Sequence, residues 1–304
     1  MATYTTLDDL DVPALCSAYG LHDPRLQPLK GGAANSSFQL RTAEGCFVLT
    51  VLDNHDPTSA AALADHTRVL FAHGLPTAEV VPEVGGGSTT VIGGKPVLLK
   101  RWIEGEVIDP LPEDRLTEAG ALLARLHNLP ADLTEVPVAS RRLSADQQGL
   151  IGGFRDRDFA AWLSEQLTVV KEREAGRQRS AVLCHGDLFA DNLICRAGGS
   201  LAVIDWETIS LDDPLLDLGM AAVGLAQQDG RLHPRRLELL VEGYTGVRPL
   251  PQEVLDELPM EIVHAALIIA FHRYYRHNVR FPNADRADFH LRMVDFAASV
   301  RGQA

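Results

Sequence analysis

The 304-residue sequence has little cysteine and no long hydrophobic run. Its four cysteines, Cys16, Cys46, Cys184 and Cys195, are scattered and form no CxxC pair, which argues against a zinc site or a disulfide framework. No apolar stretch approaches the length needed to cross a bilayer. The N-terminus is acidic and lacks the basic and apolar segments of a signal peptide, so we expect a cytoplasmic protein with reduced thiols.

Basic residues are also in the minority. The chain has 28 Lys and Arg against 41 Asp and Glu, a formal net charge of −13. This balance argues against a general binder of nucleic acid or of anionic membranes. It does not argue against nucleotide binding, because a divalent ion can join an acidic site to a polyphosphate. We therefore expect small-molecule partners, with no nucleic acid and no membrane among them.

The hydrophobic pattern changes near residues 100–105. Before this point, strand-like runs alternate with glycine-containing turns, and Ala43-Glu44-Gly45 predicts a hairpin. After it, residues 113–129 repeat apolar side chains at helical spacing, and the chain from Pro214 onward is mainly helical in pattern. The sequence predicts an α+β protein with a small β-rich N-terminal lobe, residues 1–102, and a larger helical lobe, residues 103–304.

The most informative stretch is residues 183–207, LCHGDLFADNLICRAGGSLAVIDWE. His185-Gly186-Asp187 follows one apolar run, Asn192 comes five positions after Asp187, and Asp205 ends a second apolar run. Two strand ends could present these polar residues to one cleft. Phosphoryl transfer requires such a set, because one carboxylate orients a hydroxyl while a second carboxylate and a neutral oxygen ligand hold magnesium.

Simpler explanations exist for each residue taken singly. An isolated Asp after a strand is most often a turn residue or a helix cap, and Asp212 and Asp213 before Pro214 fit that role. A metal-dependent hydrolase usually needs more histidine than the single His185 of this stretch. For the trio at this spacing, the phosphoryl-transfer interpretation is favoured.

The motif HGDLFADN, followed by VIDWE, resembles the paired motifs of the aminoglycoside phosphotransferase and choline kinase superfamily. The resemblance implies a two-lobed, protein-kinase-like fold that uses ATP or GTP. It also implies that Asp187 is the catalytic base and that Asn192 and Asp205 hold Mg²⁺. His185 and Asp217 would then support the catalytic loop.

Two further segments extend the resemblance. RWIEGEVI resembles the connection between the lobes, where the chain near Leu99–Trp102 would meet the nucleotide base. GGAANSSFQL together with GCFVLTVLD resembles the hairpin that covers the phosphates, and it implies roles for Ser36 and Ser37.

Thr50 departs from the pattern of many relatives. They carry Lys or Arg at this position, at the end of the third strand, to hold the nucleotide phosphates. Lys30 and Lys100 are candidate substitutes for that side chain. Ser36, Ser37, Thr50 and backbone amides could share the work.

Homoserine kinases of the second type resemble the chain most within the superfamily, through N-S-S-F, FVLT, the Phe of HGDLFADN and FHRYYRHNVRFPN. A homoserine pocket needs a cation for the substrate carboxylate. Arg273, Arg276 and Arg280 recur along a predicted helix and are candidates for it, although a solvated basic face explains each of them equally well.

Two other functions stay open. An antibiotic O-phosphotransferase of the aminoglycoside type, which would confer resistance, could use the same motifs, and the net charge of −13 suits a cationic acceptor. A non-catalytic nucleotide-binding pseudokinase is compatible with Thr50. Retention of Asp187, Asn192 and Asp205 together argues against it.

Overall fold

A computed structural model describes residues 5–29, 35–139, 141–177 and 180–302. The chain divides into two compact units. The first contains residues 1–106, 194–198 and 202–207, and the second contains residues 107–193, 199–201 and 208–304. The lobes 1–102 and 103–304 stay a prediction.

The first unit is built on a five-stranded antiparallel sheet with the order β1-β2-β3-β5-β4. Its strands are β1 Arg25–Pro28, β2 Ser36–Thr42, β3 Gly45–Val51, β4 Thr90–Ile92 and β5 Lys95–Arg101. Its helices are α1 Val12–Tyr19 and α2 Pro57–Ala72, and a 3-10 turn spans Leu7–Asp9. The hairpin predicted at residues 43–45 is confirmed, because Thr42 pairs with Gly45.

Alternating apolar side chains explain the first sheet. Phe38 and Leu40 on β2 and Phe47 and Leu49 on β3 are buried, as expected for strands with one face toward a core. They pack with apolar residues of α1, including Leu15. Helix α1 ends where Gly20 takes the left-handed conformation at φ +63°, which glycine adopts without steric cost.

The second unit is mainly helical. Its helices are α3 Glu113–His127, α4 Ala145–Ile151, α5 Arg157–Glu174, α6 Pro214–Leu225, α7 Pro234–Val247, α8 Gln252–Leu255, α9 Leu258–Tyr274 and α10 Leu291–Arg301. Short strands are β6 Val182–Cys184, β7 Leu193–Cys195, β8 Leu201–Val203, β9 Ser210–Asp212, β10 Gln227–Gln228 and β11 Arg231–Leu232. Strands β7 and β8 pair with each other, and most of their residues belong to the first unit, within its segments 194–198 and 202–207.

Glycines allow helices α3 and α7 to approach closely. A Cβ atom at Gly120 would collide with the Leu240 carbonyl oxygen, and one at Gly243 would collide with the Thr117 carbonyl oxygen. Gly219 has the same role between α6 and α9, where a Cβ would lie 2.7 Å from the carbonyl oxygen of Glu261. These contacts fix the helices that support the segment after β6.

Among the described helices, none combines the length and the apolar character that a membrane span requires. The cytoplasmic location stays a prediction from the sequence.

Candidate active site

The segment 185–187 leaves the end of strand β6 in the second unit. Strand β6 pairs with β9, with Cys184 opposite Ser210. The Thr208 hydroxyl donates to the His185 carbonyl oxygen at 2.7 Å. Gly186 has φ +77°, a conformation that an L side chain adopts only with strain. The sequence HGD therefore makes a sharp turn at a fixed strand end.

Asp217, in the first turn of α6, holds the back of this turn. Its carboxylate accepts hydrogen bonds from the backbone N–H groups of His185 and Gly186, both at 2.7 Å, and from His127 Nε2 at 3.0 Å. Its side chain is 1% exposed. Burial raises the pKa of Asp217, but the His127 bond and the neighbouring positive charge and backbone donors outweigh burial and hold the pKa below 3.8. Asp217 therefore remains a charged acceptor.

His127 continues this network into the helical core. Its Nδ1 lies 2.7 Å from the hydroxyl oxygen of Tyr244, and both side chains are buried. The two ring nitrogens of His127 therefore connect Asp217 to Tyr244. The close approach of α3 and α7 at Gly120 and Gly243 brings Tyr244 within reach of His127.

Asp187 has a more open environment at the front of the turn. Its side chain is 37% exposed, and its Oδ1 lies 3.8 Å from Arg141 Nη2. Its backbone N–H donates to His185 Nδ1 at 3.2 Å, so the His185 side chain braces the turn. Asn192 Nδ2 donates to the Asp187 carbonyl oxygen at 2.8 Å, which directs the Asn192 amide. Asp187 and Asn192 are therefore held together within the second unit.

A 3-10 turn and a ring contact position Asn192. The turn spans Ala190–Asn192 and begins after Phe189. The Phe189 ring lies so close to Gly224 of α6 that a Cβ there would collide with it. This contact explains why an aromatic residue stands inside the motif HGDLFADN.

Asp205 belongs to the first unit and has an unusual backbone. Its φ is +67°, a conformation that costs free energy for a residue with a side chain and that occurs often at functional sites. Its neighbours fix it: the Val203 N–H donates to the Pro76 carbonyl oxygen at 2.8 Å, and Trp206 Nε1 donates to the Thr77 hydroxyl at 2.9 Å. The Asp205 carboxylate is thus presented by an anchored turn.

Lys100, in the first unit, interacts electrostatically with Asp205. Burial lowers the pKa of Lys100, while the carboxylates of Asp205 and Glu207 oppose that effect. Glu207 in turn accepts a hydrogen bond from Asn35 Nδ2. The other candidate, Lys30, lies outside the described residues.

The two serines of the predicted phosphate hairpin differ. The Ser36 hydroxyl donates to Asp53 Oδ2 at 2.6 Å and accepts from the Thr5 N–H at 2.9 Å. Asp53 is also paired with Lys95 at 2.6 Å, so Ser36 belongs to a network inside the unit. Ser37 lies opposite Thr50 in the β2–β3 pairing.

The Thr50 hydroxyl is buried, and it has no hydrogen-bond partner among the residues that the structure describes. Native proteins rarely leave a buried polar atom without a partner, so this hydroxyl is a candidate contact for a ligand or a water molecule. Trp102 follows strand β5, and its backbone N–H donates to the Cys46 carbonyl oxygen at 3.0 Å. It lines a surface cavity of about 390 Å³ together with the turn that joins β2 and β3.

The three arginines predicted to bind substrate lie at the end of α9 and in the π-helical turn Tyr275–Arg280 that follows it. The Arg273 guanidinium lies 5.9 Å from the Phe289 ring centre, and the Arg280 guanidinium lies 5.2 Å from that of Phe281. The wider π-helical turn changes the spacing expected for an α-helix, so Arg276 and Arg280 do not follow Arg273 along one α-helical face. Their role in binding stays a prediction.

The sequence analysis did not identify Arg141, Tyr244 or Asn35, which lie close to the predicted residues. Arg141 stands in an irregular segment without hydrophobic period, and its partner Asp187 is distant in the chain. His127 carried one signal, its place at the end of a strongly periodic helix. Asn35 carried the signal of its place in N-S-S-F, and Tyr244 carried none.

Two clusters of described side chains have metal-ligand chemistry, and hydrogen bonds or ion pairs within the protein engage most of their members. One contains His127, Cys184 and Asp217, and Asp217 accepts the hydrogen bonds described above. The other contains Glu174, Glu261 and His264. His264 Nδ1 is buried and has no hydrogen-bond partner among the described residues. Arg142 and Arg177 neutralise its carboxylates at 2.5 Å and 2.8 Å. Neither cluster includes Asn192 or Asp205.

Comparisons with known proteins match this chain to phosphotransferases. The profile of the phosphotransferase enzyme family matches residues 25–250. A homoserine kinase of Neisseria meningitidis serogroup B is 27% identical over 258 residues, which cover 83% of this chain and 84% of that protein. A homoserine kinase of Methylobacterium radiotolerans is 28% identical over 280 residues, covering 88% of this chain and 85% of that protein.

A solved structure supports the fold. An amicoumacin kinase in complex with AMP-PNP and Ca²⁺ superposes with a TM-score of 0.75 at 12% identity, covering 98% of this chain and 95% of that one. The kinase-like α+β fold predicted from the sequence is confirmed, as is the resemblance to the aminoglycoside phosphotransferase and choline kinase superfamily.

Proposed function

The chain belongs to the phosphotransferase enzyme family and is a phosphotransferase that acts on hydroxyl groups, and from that premise we propose that its acceptor is homoserine. The γ-phosphate of ATP or GTP is the group transferred. Two homoserine kinases that align over more than four fifths of the chain support this acceptor. The segment HGDLFADN and its geometry support the chemistry.

The observation that carries the proposed phosphoryl-transfer chemistry is the environment of Asp187. Its backbone is fixed by His185 Nδ1 and by the Asn192 side chain, and the turn behind it is fixed by Asp217. Its carboxylate is 37% exposed, so a substrate can reach it. A rigid backbone with an accessible carboxylate is what a general base requires.

In the proposed reaction, Asp187 accepts a hydrogen bond from the acceptor hydroxyl and orients its oxygen toward the γ-phosphorus. A bond forms between that oxygen and phosphorus as the bond to the nucleotide bridging oxygen breaks. The hydroxyl proton passes to the Asp187 carboxylate, and the nucleoside diphosphate leaves with the bridging oxygen. Positioning and electrostatics supply most of the rate enhancement in such transfers.

The donor set fits a hard divalent cation such as Mg²⁺. Asn192 and Asp205 would hold it through oxygen, the ligand atom that Mg²⁺ prefers. The Asn192 amide nitrogen is engaged with the Asp187 carbonyl, which leaves the amide oxygen as the ligand atom. Bound there, the cation offsets the phosphate charge. Asp205, with its φ of +67°, supplies the anionic ligand.

Lys100 is the proposed substitute for the basic residue that Thr50 replaces. The electrostatic interaction of Lys100 with Asp205, the proposed anionic metal ligand, supports this role. Thr50 and Ser37 contribute hydroxyl groups next to each other on β2 and β3. Trp102 and the chain before it are proposed to meet the base. Arg273, Arg276 and Arg280 are the sequence-based candidates for the acceptor side.

The test is nucleoside diphosphate release with Mg²⁺ and either ATP or GTP, with homoserine, related hydroxy amino acids, choline, ethanolamine and aminoglycosides as separate acceptors. We expect release that depends on homoserine, with a phosphorylated hydroxyl in the product. Release that depends on an antibiotic alone would replace homoserine as the acceptor. Nucleotide binding without release for any acceptor would favour the pseudokinase.

A further inference from the structure

Arg141 lies in a segment whose backbone is tied to strand β9. The Ala139 N–H donates to the Leu211 carbonyl oxygen and the Leu211 N–H donates to the Pro137 carbonyl oxygen, both at 2.8 Å. On the other side of Arg141, Arg142 is anchored by carboxylates. The position from which the Arg141 side chain starts is therefore fixed from both sides.

The neighbouring arginines Arg141 and Arg142 have opposite environments. Arg142 Nε donates to Asp212 at 2.8 Å and its Nη1 pairs with Glu174 at 2.5 Å. Among the described residues, the ion pair of Arg141 is a long contact with Asp187, 3.8 Å between Nη2 and Oδ1, which exceeds hydrogen-bond distance. Its Nε is buried and has no hydrogen-bond partner within the described part of the chain. Arg142 is a structural cation, and Arg141 retains donors for a ligand.

The turn at Gly186 makes room for the Arg141 side chain. A Cβ at Gly186 would lie 2.7 Å from Arg141 Cγ, so the arginine stem packs directly on the backbone of the catalytic turn. On helix α9, burial and then the charge of Arg141 lower the pKa of His272 to about 4. His272 is therefore neutral near pH 7 and adds no second positive charge beside the guanidinium.

The position of Arg141 relative to Asp187 defines a ligand size. The acceptor oxygen must lie within hydrogen-bond reach of the Asp187 carboxylate. The Arg141 guanidinium is next to that carboxylate, so a group that binds Arg141 lies only a few bonds from the reacting hydroxyl. In homoserine, three carbons separate the hydroxyl oxygen from the carboxylate carbon, roughly 5 Å at ordinary bond lengths. Arginine pairs with carboxylates through two parallel hydrogen bonds.

We propose that Arg141 binds the carboxylate of the acceptor and so makes the site selective for hydroxy acids. This inference rests on the proposed function, and it assigns the substrate carboxylate to Arg141 rather than to Arg273, Arg276 or Arg280. Substrate binding then also exchanges the long Arg141–Asp187 contact for a bidentate pair with the ligand. Asp187 is left to accept the hydroxyl proton.

The test compares homoserine with 3-amino-1-propanol, which is homoserine without its carboxylate. Steady-state kinetics are measured for the wild type, Arg141→Met and Arg141→Lys, with a thermal melt of each. For homoserine, we expect kcat/KM of Arg141→Met to fall about 10- to 100-fold, as for the loss of hydrogen bonds to a charged group. Most of this fall should appear in KM. For 3-amino-1-propanol, the fall in kcat/KM should be much smaller than for homoserine, because this acceptor has no carboxylate and only the long contact with Asp187 is lost.

Arg141→Lys separates charge from geometry. Lysine keeps the positive charge but lacks the planar pair of N–H donors of the guanidinium. We therefore expect a partial loss of kcat/KM that is again restricted to homoserine. The matched control is Arg235→Met, an exposed arginine of α7 paired with Glu238, which should leave both acceptors unaffected. Equal losses for both acceptors in Arg141→Met would mean that Arg141 acts on Asp187 alone, and this result overturns the proposal. So does a homoserine-specific loss in Arg276→Met with none in Arg141→Met.

Failure of the proposed function has a different signature. If the wild type does not phosphorylate homoserine but does phosphorylate another hydroxy acid, the proposed acceptor is wrong. Arg141 is then judged on that acid and its carboxylate-free analogue. A wild type that phosphorylates only alcohols without a carboxylate overturns both.

Discussion

Asp217 binds the backbone of the turn at residues 185–187, and Asp187 is the last residue of that turn, yet the two carboxylates have opposite surroundings. Asp217 is 1% exposed and accepts hydrogen bonds from two backbone N–H groups and His127. Asp187 is 37% exposed, and its described ion pair with Arg141 is a long 3.8 Å contact. A carboxylate saturated by fixed donors is a structural group. A carboxylate with this exposure is accessible to a substrate hydroxyl.

This comparison also separates the two kinds of buried charge in the second unit. Behind the turn, charges are matched within the protein: His127 supports Asp217, and Arg142 pairs with Asp212 and Glu174. In front of it, Arg141 keeps a buried Nε that has no hydrogen-bond partner among the described residues. A buried donor without a partner costs stability, and natural proteins break such local rules mainly at functional sites. The front of the turn is therefore where we expect substrate.

The largest effect on the back of the turn should come from Asp217→Asn. The amide keeps one acceptor oxygen but places an NH2 group against a backbone N–H donor in either orientation, so at least one buried hydrogen bond is lost. We expect the free energy of unfolding to fall by about 3–5 kcal/mol and kcat to fall with it, because the turn that carries Asp187 is no longer held. Urea unfolding and steady-state kinetics measure both.

The pH dependence and a neighbouring acid sharpen this prediction. Because folding depresses the pKa of Asp217, its contribution is fully present above 3.8 and is lost as the pH falls below that value. The stability difference between wild type and Asp217→Asn should shrink accordingly. The control is Asp213→Asn at the N-cap of α6, where Asp and Asn are nearly equivalent caps. An equal loss of stability in both variants would contradict a special role for Asp217.

A smaller loss of stability should come from Gly243→Ala, which disturbs the close packing of α3 on α7 next to the His127–Tyr244 hydrogen bond. A Cβ at Gly243 would collide with the Thr117 backbone, so α3 and α7 must separate and Tyr244 must move relative to His127. We expect a loss of about 1–3 kcal/mol in unfolding free energy, with a smaller decrease in kcat than in Asp217→Asn. Thermal and urea unfolding measure the loss.

Helix α7 supplies the matched control. Gly246→Ala places the same methyl group three residues further along, where nothing lies within 4 Å. Because Ala is the better helix former, this variant should be neutral or more stable by up to about 1 kcal/mol. If both alanine variants behave alike, close packing at Gly243 does not support the turn.

Much of the fold follows from local sequence. The hairpin at residues 43–45, helix α3 and the strands β6 and β8 are encoded by alternation, helical period and turn residues within short windows. Asp217 was placed behind the turn by its position in the motif pattern, and its backbone partners are those of the segment HGD.

Other parts depend on contacts between distant residues. The sequence did not predict the network in which the Ser36 hydroxyl donates to Asp53, which also pairs with Lys95, and a phosphate contact of Ser36 stays a prediction. Arg141 has no periodic neighbours that predict its direction, and the π-helical turn at Tyr275–Arg280 could not be distinguished from continued α-helix. Such features depend on which distant backbone lies alongside, which a local pattern does not contain.

The most direct test that Asp187 is catalytic and Asp217 is structural compares Asp187→Asn with Asp217→Asn, both prepared in the same way. Nucleotide affinity, unfolding free energy and homoserine-dependent phosphoryl transfer are measured together. For Asp187→Asn we predict a fall in kcat of about 10²- to 10⁴-fold, as for loss of a general base, with stability and nucleotide affinity nearly unchanged. Near wild-type kcat in Asp187→Asn, or a stability loss as large as that of Asp217→Asn, would contradict the assignment.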